Sequence, residues 1–120
     1  MTTQLSAALR AAAAGIHPDE AAAGRIISHG TFLPRDDFTR HVETAACISD
    51  GTPMAWIDWH AVITALDGGR LPASSGEKRI VRIAASLAVG HLISLRDAIS
   101  GLDQRNVGLV TTAIRRAAGR

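Results

Sequence analysis

The side chains able to do chemistry in this chain are five histidines, one cysteine, a Ser-x-x-Lys run and a carboxylate set between two tryptophans. His17, His29, His41, His60 and His91 are scattered, and no two stand four residues apart, the spacing that would place a metal-binding pair on one helix face. His41 and Cys47 are six apart, which is also off helical spacing. With no second cysteine to join it, Cys47 reads as a small buried hydrophobe, and no metal or cofactor is expected. Ser75-Gly76-Glu77-Lys78 matches the run in which a lysine one turn on activates a serine. That chemistry also needs a Lys-Thr-Gly element, and Lys78 is the chain's single lysine. Ser74 with Glu77 makes a helix-capping box from the same residues, which is the simpler reading. A phosphate loop is excluded because Gly76 is followed by Glu77 and not by lysine. Asp58, between Trp56 and Trp59, reads as a boundary carboxylate paired with Arg79 or Arg82 in preference to a catalytic acid.

The elements that must position these residues read as helices. Residues 3–14 are strong helix formers stopped by Gly15, and a second helix starts at Pro18 with Asp19 and Glu20 in its first turn and ends at Gly30. Pro34 opens a third, with Phe38, Val42, Ala45 and Cys47 inward and Ser49-Asp50-Gly51 as the closing turn. Thr52 and Pro53 form a start signal for a fourth, in which Trp56, Trp59, Ile63 and Leu66 recur at three, four and three residues as one apolar stripe. Gly68 and Gly69 end it. After the loop 68–75 the capping box starts a fifth helix, with Ile80, Ile83, Ala84 and Leu87 on one face and Gly90 at its end. Ser94 and Asp97 cap a short sixth, and Asp103 a seventh with Val107, Val110, Ile114 and Ala117 inward.

Composition agrees with helices. Apolar residues make up 47% of the 120 positions and aromatics only 3%, a core better suited to close-packed helices than to strands rich in rings. The fold class expected is therefore all-α: a compact orthogonal or mixed bundle of six to seven short helices. It forms one domain over 1–120, with residues 1–15 as a peripheral helix and Phe38, Trp56 and Trp59 as core anchors. No apolar run approaches the ~18 residues of a membrane span, and Met1–Leu5 carries no basic residue to begin a signal peptide. A cytoplasmic protein is expected.

Charge is lopsided. Residues 1–69 hold four Arg against eight Asp or Glu, whereas 70–120 hold nine basic residues against three acidic. Either the basic half meets an anionic partner through Arg79, Arg82, Arg105, Arg115 and Arg116, or the two halves neutralise each other within one chain or head to tail between chains. The second reading is preferred, because a modest net charge steers weakly and is screened by salt. A helix-turn-helix aligned on Gly90 places His91 and Arg96 where apolar packing belongs and leaves a short following helix, so it is not adopted.

The segments Gly51–Trp59, Leu71-Pro72 through Gly76-Glu77 and Arg79, and Ser94–Ala98 through Gly101–Asp103 and Arg105-Asn106 resemble stretches of small uncharacterised helical proteins of high-G+C bacteria, over roughly residues 20–118. The resemblance implies a free-standing bacterial protein and carries no activity or catalytic residue. With no nucleophile–base pair, metal set or cofactor loop, the chain is read as a non-enzyme. It is expected to be an accessory or regulatory protein acting through helix-mediated contact with a protein partner or a second copy of itself, the alternative being a nucleic-acid-binding regulator. No membrane or small-molecule partner is expected.

Overall fold

A computed structural model describes residues 2–120. Its elements in order are α1 (Thr2–Ala13), α2 (His17–His29), α3 (Asp36–Thr39), β1 (Val42–Ala46), β2 (Pro53–Ile57), α4 (Trp59–Asp67), α5 (Ser75–Val89), α6 (Leu95–Ile99) and α7 (Gln104–Ala117). The fold is mostly helical, with seven helices among the described residues, none of them long and apolar enough to cross a membrane. Helix α2 is the hub, packed against both α5 and α7; α1 lies on β2 and α2, and α4 on α5. Ala21, Ala22 and Ala23 are buried along α2, and their small side chains let neighbouring helices approach closely.

The local signals behind four helix starts have direct counterparts. Ser74 Oγ accepts from the Glu77 N–H at 3.2 Å while Glu77 Oε1 accepts from the Ser74 N–H at 2.8 Å, a complete capping box on α5. Ser94 and Asp103 cap α6 and α7 by accepting from the backbone of Asp97 and Asn106. Pro18 occupies the first turn of α2. Gly30 and Gly90 close α2 and α5 in the left-handed region, φ +78° and +72°, which favours glycine.

The all-α expectation is corrected between Thr39 and Asp58. The third helix is a single turn, and Val42–Ala46 pairs antiparallel with Pro53–Ile57, Val42 opposite Ile57 and Glu43 opposite Trp56. Thr39, His41, Val42 and Thr44 are weak helix formers that suit a pleated surface, and Pro53 opens a strand where its missing N–H is tolerated. The hairpin loop is tied by Thr52 N–H donating to Asp50 Oδ1 at 2.9 Å and Cys47 N–H to the Thr52 carbonyl at 2.8 Å. Consequently Trp56 is no core anchor: it projects from β2 and is 44% exposed, while Ala55 beside it is buried. Its spacing to Trp59 matched a helical stripe by coincidence of phase, and the true start of α4 is Asp58. Phe38 and Trp59 are buried as anchors. Cys47 lies half-buried at the hairpin turn, its Sγ 3.2 Å from Ser49 Oγ, because the strand carries it away from the core.

Asp58 does not pair with Arg79 or Arg82. Its Oδ1 accepts from the Ala61 N–H at 3.1 Å and so caps α4. Asp58→Ala is expected to cost about 1 kcal/mol in urea unfolding, and Asp58→Asn far less, because both natural side chains cap well. Equal losses in the two variants would mean that the carboxylate charge matters and the capping oxygen does not.

Two apolar clusters result. The larger joins α1, α2, the Phe32–Phe38 segment, Ala55, α4, Leu71 and part of α5, and it includes Ala8, Leu9 and Ala13 of α1. The smaller has only Ile80, Ile83, Ala98 and Val110 fully buried, between α5, α6 and α7. Helix α7 presents Val110 and Ala113 inward, whereas Val107 and Ile114, expected to be buried, remain about half exposed. Near the start of α7, Asn106 faces α2, its Oδ1 accepting from Arg25 Nη2 at 2.9 Å.

Candidate functional site

Helix α2 carries Arg25 among the buried Ala21, Ala22 and Ile26, and its guanidinium reaches Asn106 of α7. Arg25 is 2% exposed. Its Nη2 donates to Asn106 Oδ1 at 2.9 Å, and its Nε and Nη1 are buried without a hydrogen-bond partner in the protein. Burial pushes the pKa of this guanidinium down from its ordinary value, and the neighbouring Arg105 charge pushes in the same direction. Arg105 itself reaches the Ser28 carbonyl at 3.5 Å. Beside Arg25, a cavity of about 100 Å³ is lined by Gly24, Ser28, Thr112, Arg10 and Arg116, with no carboxylate in its wall.

His29 lies one turn further along α2, its Nδ1 buried and unpartnered and its ring centroid 5.7 Å from that of Phe32. Burial, then the Arg25 charge, hold its pKa below 6.5, against a smaller opposing pull from Glu77. Below about pH 6.5 the unfolded chain therefore takes up a proton that the folded chain resists, and stability from this group is lost as pH falls. The low-lying carboxyl of Glu77 acts in the same direction, but only around and below its ordinary 4.5. Unfolding free energy is thus expected to decline between pH 7 and pH 5, and His29→Gln to flatten that decline. An unchanged slope in the variant would assign the effect elsewhere.

The five arginines expected to form one anionic-partner surface are divided. Arg82 Nη2 pairs with Asp67 at 2.6 Å and Arg79 Nε donates to the Asp97 carbonyl at 3.2 Å, knitting α5 to α4 and to α6. With Lys78 and His91 they line a groove of about 400 Å³. Arg116 belongs to the cavity described above, Arg105 reaches the Ser28 carbonyl, and Arg115 is exposed in the last turn of α7. Among the described residues, Arg82–Asp67 is the one ion pair that joins the acidic and basic halves.

Comparison with family models, curated proteins and solved structures finds no match to this chain.

Two further surfaces bear on function. A wide groove of about 920 Å³ runs between α1 and the hairpin, lined by Leu5, Ala8, Leu33, Pro34 and Met54, with Asp36 as its one charged side chain. On the opposite end of the sequence, Val89, Leu92, Leu95, Ile99, Val107 and Ile114 stand exposed, Leu92 at 92%. No group of three or more His, Cys, Asp or Glu able to hold a metal occurs among the described residues. After Gly90 the chain runs irregularly to the five-residue α6, too short to serve as a reading helix in a DNA groove. Arg10 and Arg25 were not singled out by sequence. The signal for Arg25 was its place in the apolar phase of α2; Arg10 carried none.

Proposed function

We propose that this protein is a small non-enzymatic accessory or regulatory protein that works through helix-mediated self-association, its C-terminal apolar face docking on a second copy. One observation carries the reading: of nine large apolar side chains left exposed among the described residues, five fall between Leu92 and Ile114, the stretch of chain that supplies two of the four fully buried members of the smaller cluster. So many large apolar side chains left to solvent on one stretch of chain favour burial against a partner, since exposed apolar surface of this kind marks interfaces. Charge favours a second copy as the occupant. The acidic and basic halves are joined by a single internal ion pair, so each copy offers unneutralised charge of both signs for a head-to-tail contact.

Sedimentation across a wide dilution series tests this. Self-association is expected in the natural chain and is expected to be lost in the Ile99→Glu, Ile114→Glu double variant, whose positions are exposed and leave the fold intact. A natural chain that stays monomeric at every concentration overturns the reading. Nucleic-acid binding is the alternative, supported by the groove of Lys78, Arg79, Arg82 and His91. Anisotropy of labelled oligonucleotides at low and near-physiological salt discriminates: binding that survives salt and falls on Arg79 and Arg82 replacement would put it first.

A further inference from the structure

We propose that the cavity between α2 and α7 binds a single tetrahedral oxyanion, a phosphate or sulfate group, through Arg25, Arg10 and Arg116. The ion site shares helix α7 with the proposed self-association face but draws on other residues of it, Thr112 and Arg116 against Val107 and Ile114.

Three observations converge on it. The first is Arg25, an arginine buried to 2% exposure with two of its three guanidinium nitrogens unpartnered, although buried polar groups are as a rule hydrogen-bonded and a buried cation is as a rule paired. Asn106 is neutral and satisfies one nitrogen only, so it supplies no countercharge. The second is the company Arg25 keeps. Arg10 of α1 and Arg116 of α7 line the same cavity, Arg105 stands near enough to depress Arg25, and no ion pair among the described residues involves any of the four. The charges of Arg25 and Arg105 oppose each other, and an oxyanion bound beside them relieves that opposition. Glu20 lines an adjoining recess with Arg10 and Arg116, and its carboxylate meets His17 Nδ1 at 3.3 Å and the Gly15 N–H at 3.5 Å. The third is size. About 100 Å³ holds one phosphate-sized group and little more. Ser28 adds a hydroxyl to the wall, while Thr112 donates its own to the Gly108 carbonyl and supplies no donor. Arg10 and Arg116 line one small recess above the sealed Arg25 guanidinium, and such a group of arginines suits a doubly charged oxyanion better than a lone carboxylate, since arginine donors match phosphate oxygens in geometry as well as charge.

The probe is inorganic phosphate, with sulfate in parallel and chloride at matched ionic strength as reference, read by thermal unfolding and by titration calorimetry. Phosphate and sulfate are expected to raise Tm where chloride does not, with one ion bound per chain. Arg116→Gln, an exposed position that leaves the core untouched, should weaken phosphate affinity about tenfold or more, and Arg25→Met should abolish the response. Tm shifts no larger than those of chloride would overturn the proposal and assign the Arg25 donors to water. So would a phosphate response that persists in both variants. A phosphomonoester compared with the free ion separates the two sources: binding equal to the free ion indicates a phosphorylated small molecule entering by its head group, and its exclusion indicates inorganic phosphate. Either result upholds the oxyanion site.

Discussion

Phe38→Ala is expected to lower the unfolding free energy by about 3–5 kcal/mol, with no change in the denaturant dependence. Phe38 is fully buried, and its ring centroid sits 5.3 Å from that of Phe32 at a tilted 40°, an arrangement that adds to simple area burial. The helix that carries it is one turn long and has no side-chain cap, so α3 owes its place to this ring and not to its own hydrogen bonds. The chain turns at α3 into the hairpin. A cavity at Phe38 therefore loosens the route between α2 and β1 as well as removing contacts. Against the 5–15 kcal/mol typical of whole domains such a loss is a large share, and Phe38→Leu should recover much of it. Equilibrium urea unfolding decides; a loss under about 1 kcal/mol would mean the site collapses freely and α3 is held by something else.

The opposite sign is expected at Arg25. In buffer free of phosphate and sulfate, Arg25→Met should raise stability by about 1–4 kcal/mol, because an unpaired buried cation is replaced by an apolar side chain of similar length. The partner left behind, Asn106, is only partly buried and water can reach it, so its cost is small. Arg25→Ala shares the electrostatic relief but leaves a void, and should fall below Arg25→Met. Calorimetry of the three chains gives the order. If Arg25→Met is the least stable, the guanidinium is well satisfied in the fold and its Nε and Nη1 are not orphaned in solution. The two sets of measurements are complementary: the variant that stabilises the chain without oxyanions is the one that should no longer respond to them.

What could be read in the sequence was what is decided locally. Ser74 with Glu77, Ser94 with Asp97, and Asp103 each act within three residues of themselves, so the starts of α5, α6 and α7 are written where they occur. The hairpin was hidden because Thr52-Pro53 satisfies the grammar of a helix start as well as that of a strand start, and only the pairing of Ala55 with Thr44 across the turn decides between them. Trp56 deceived for a related reason, since a three-residue step to Trp59 looks helical whether or not the chain is. At the candidate site, Arg116 was counted among surface cations and Arg25 not at all. Whether an arginine is buried depends on which helix arrives opposite it, and α7 is remote in sequence from α2.

That remoteness has a kinetic side. The Arg25–Asn106 contact joins residues 81 apart, whereas the hairpin and the α4–α5 packing close over short loops. Closing the long loop carries the larger entropic cost and is rewarded only when the whole α2–α7 interface forms at once. Desolvation of Arg25 is accordingly expected at the end of folding, after the chain has condensed around its middle with this arginine still in water.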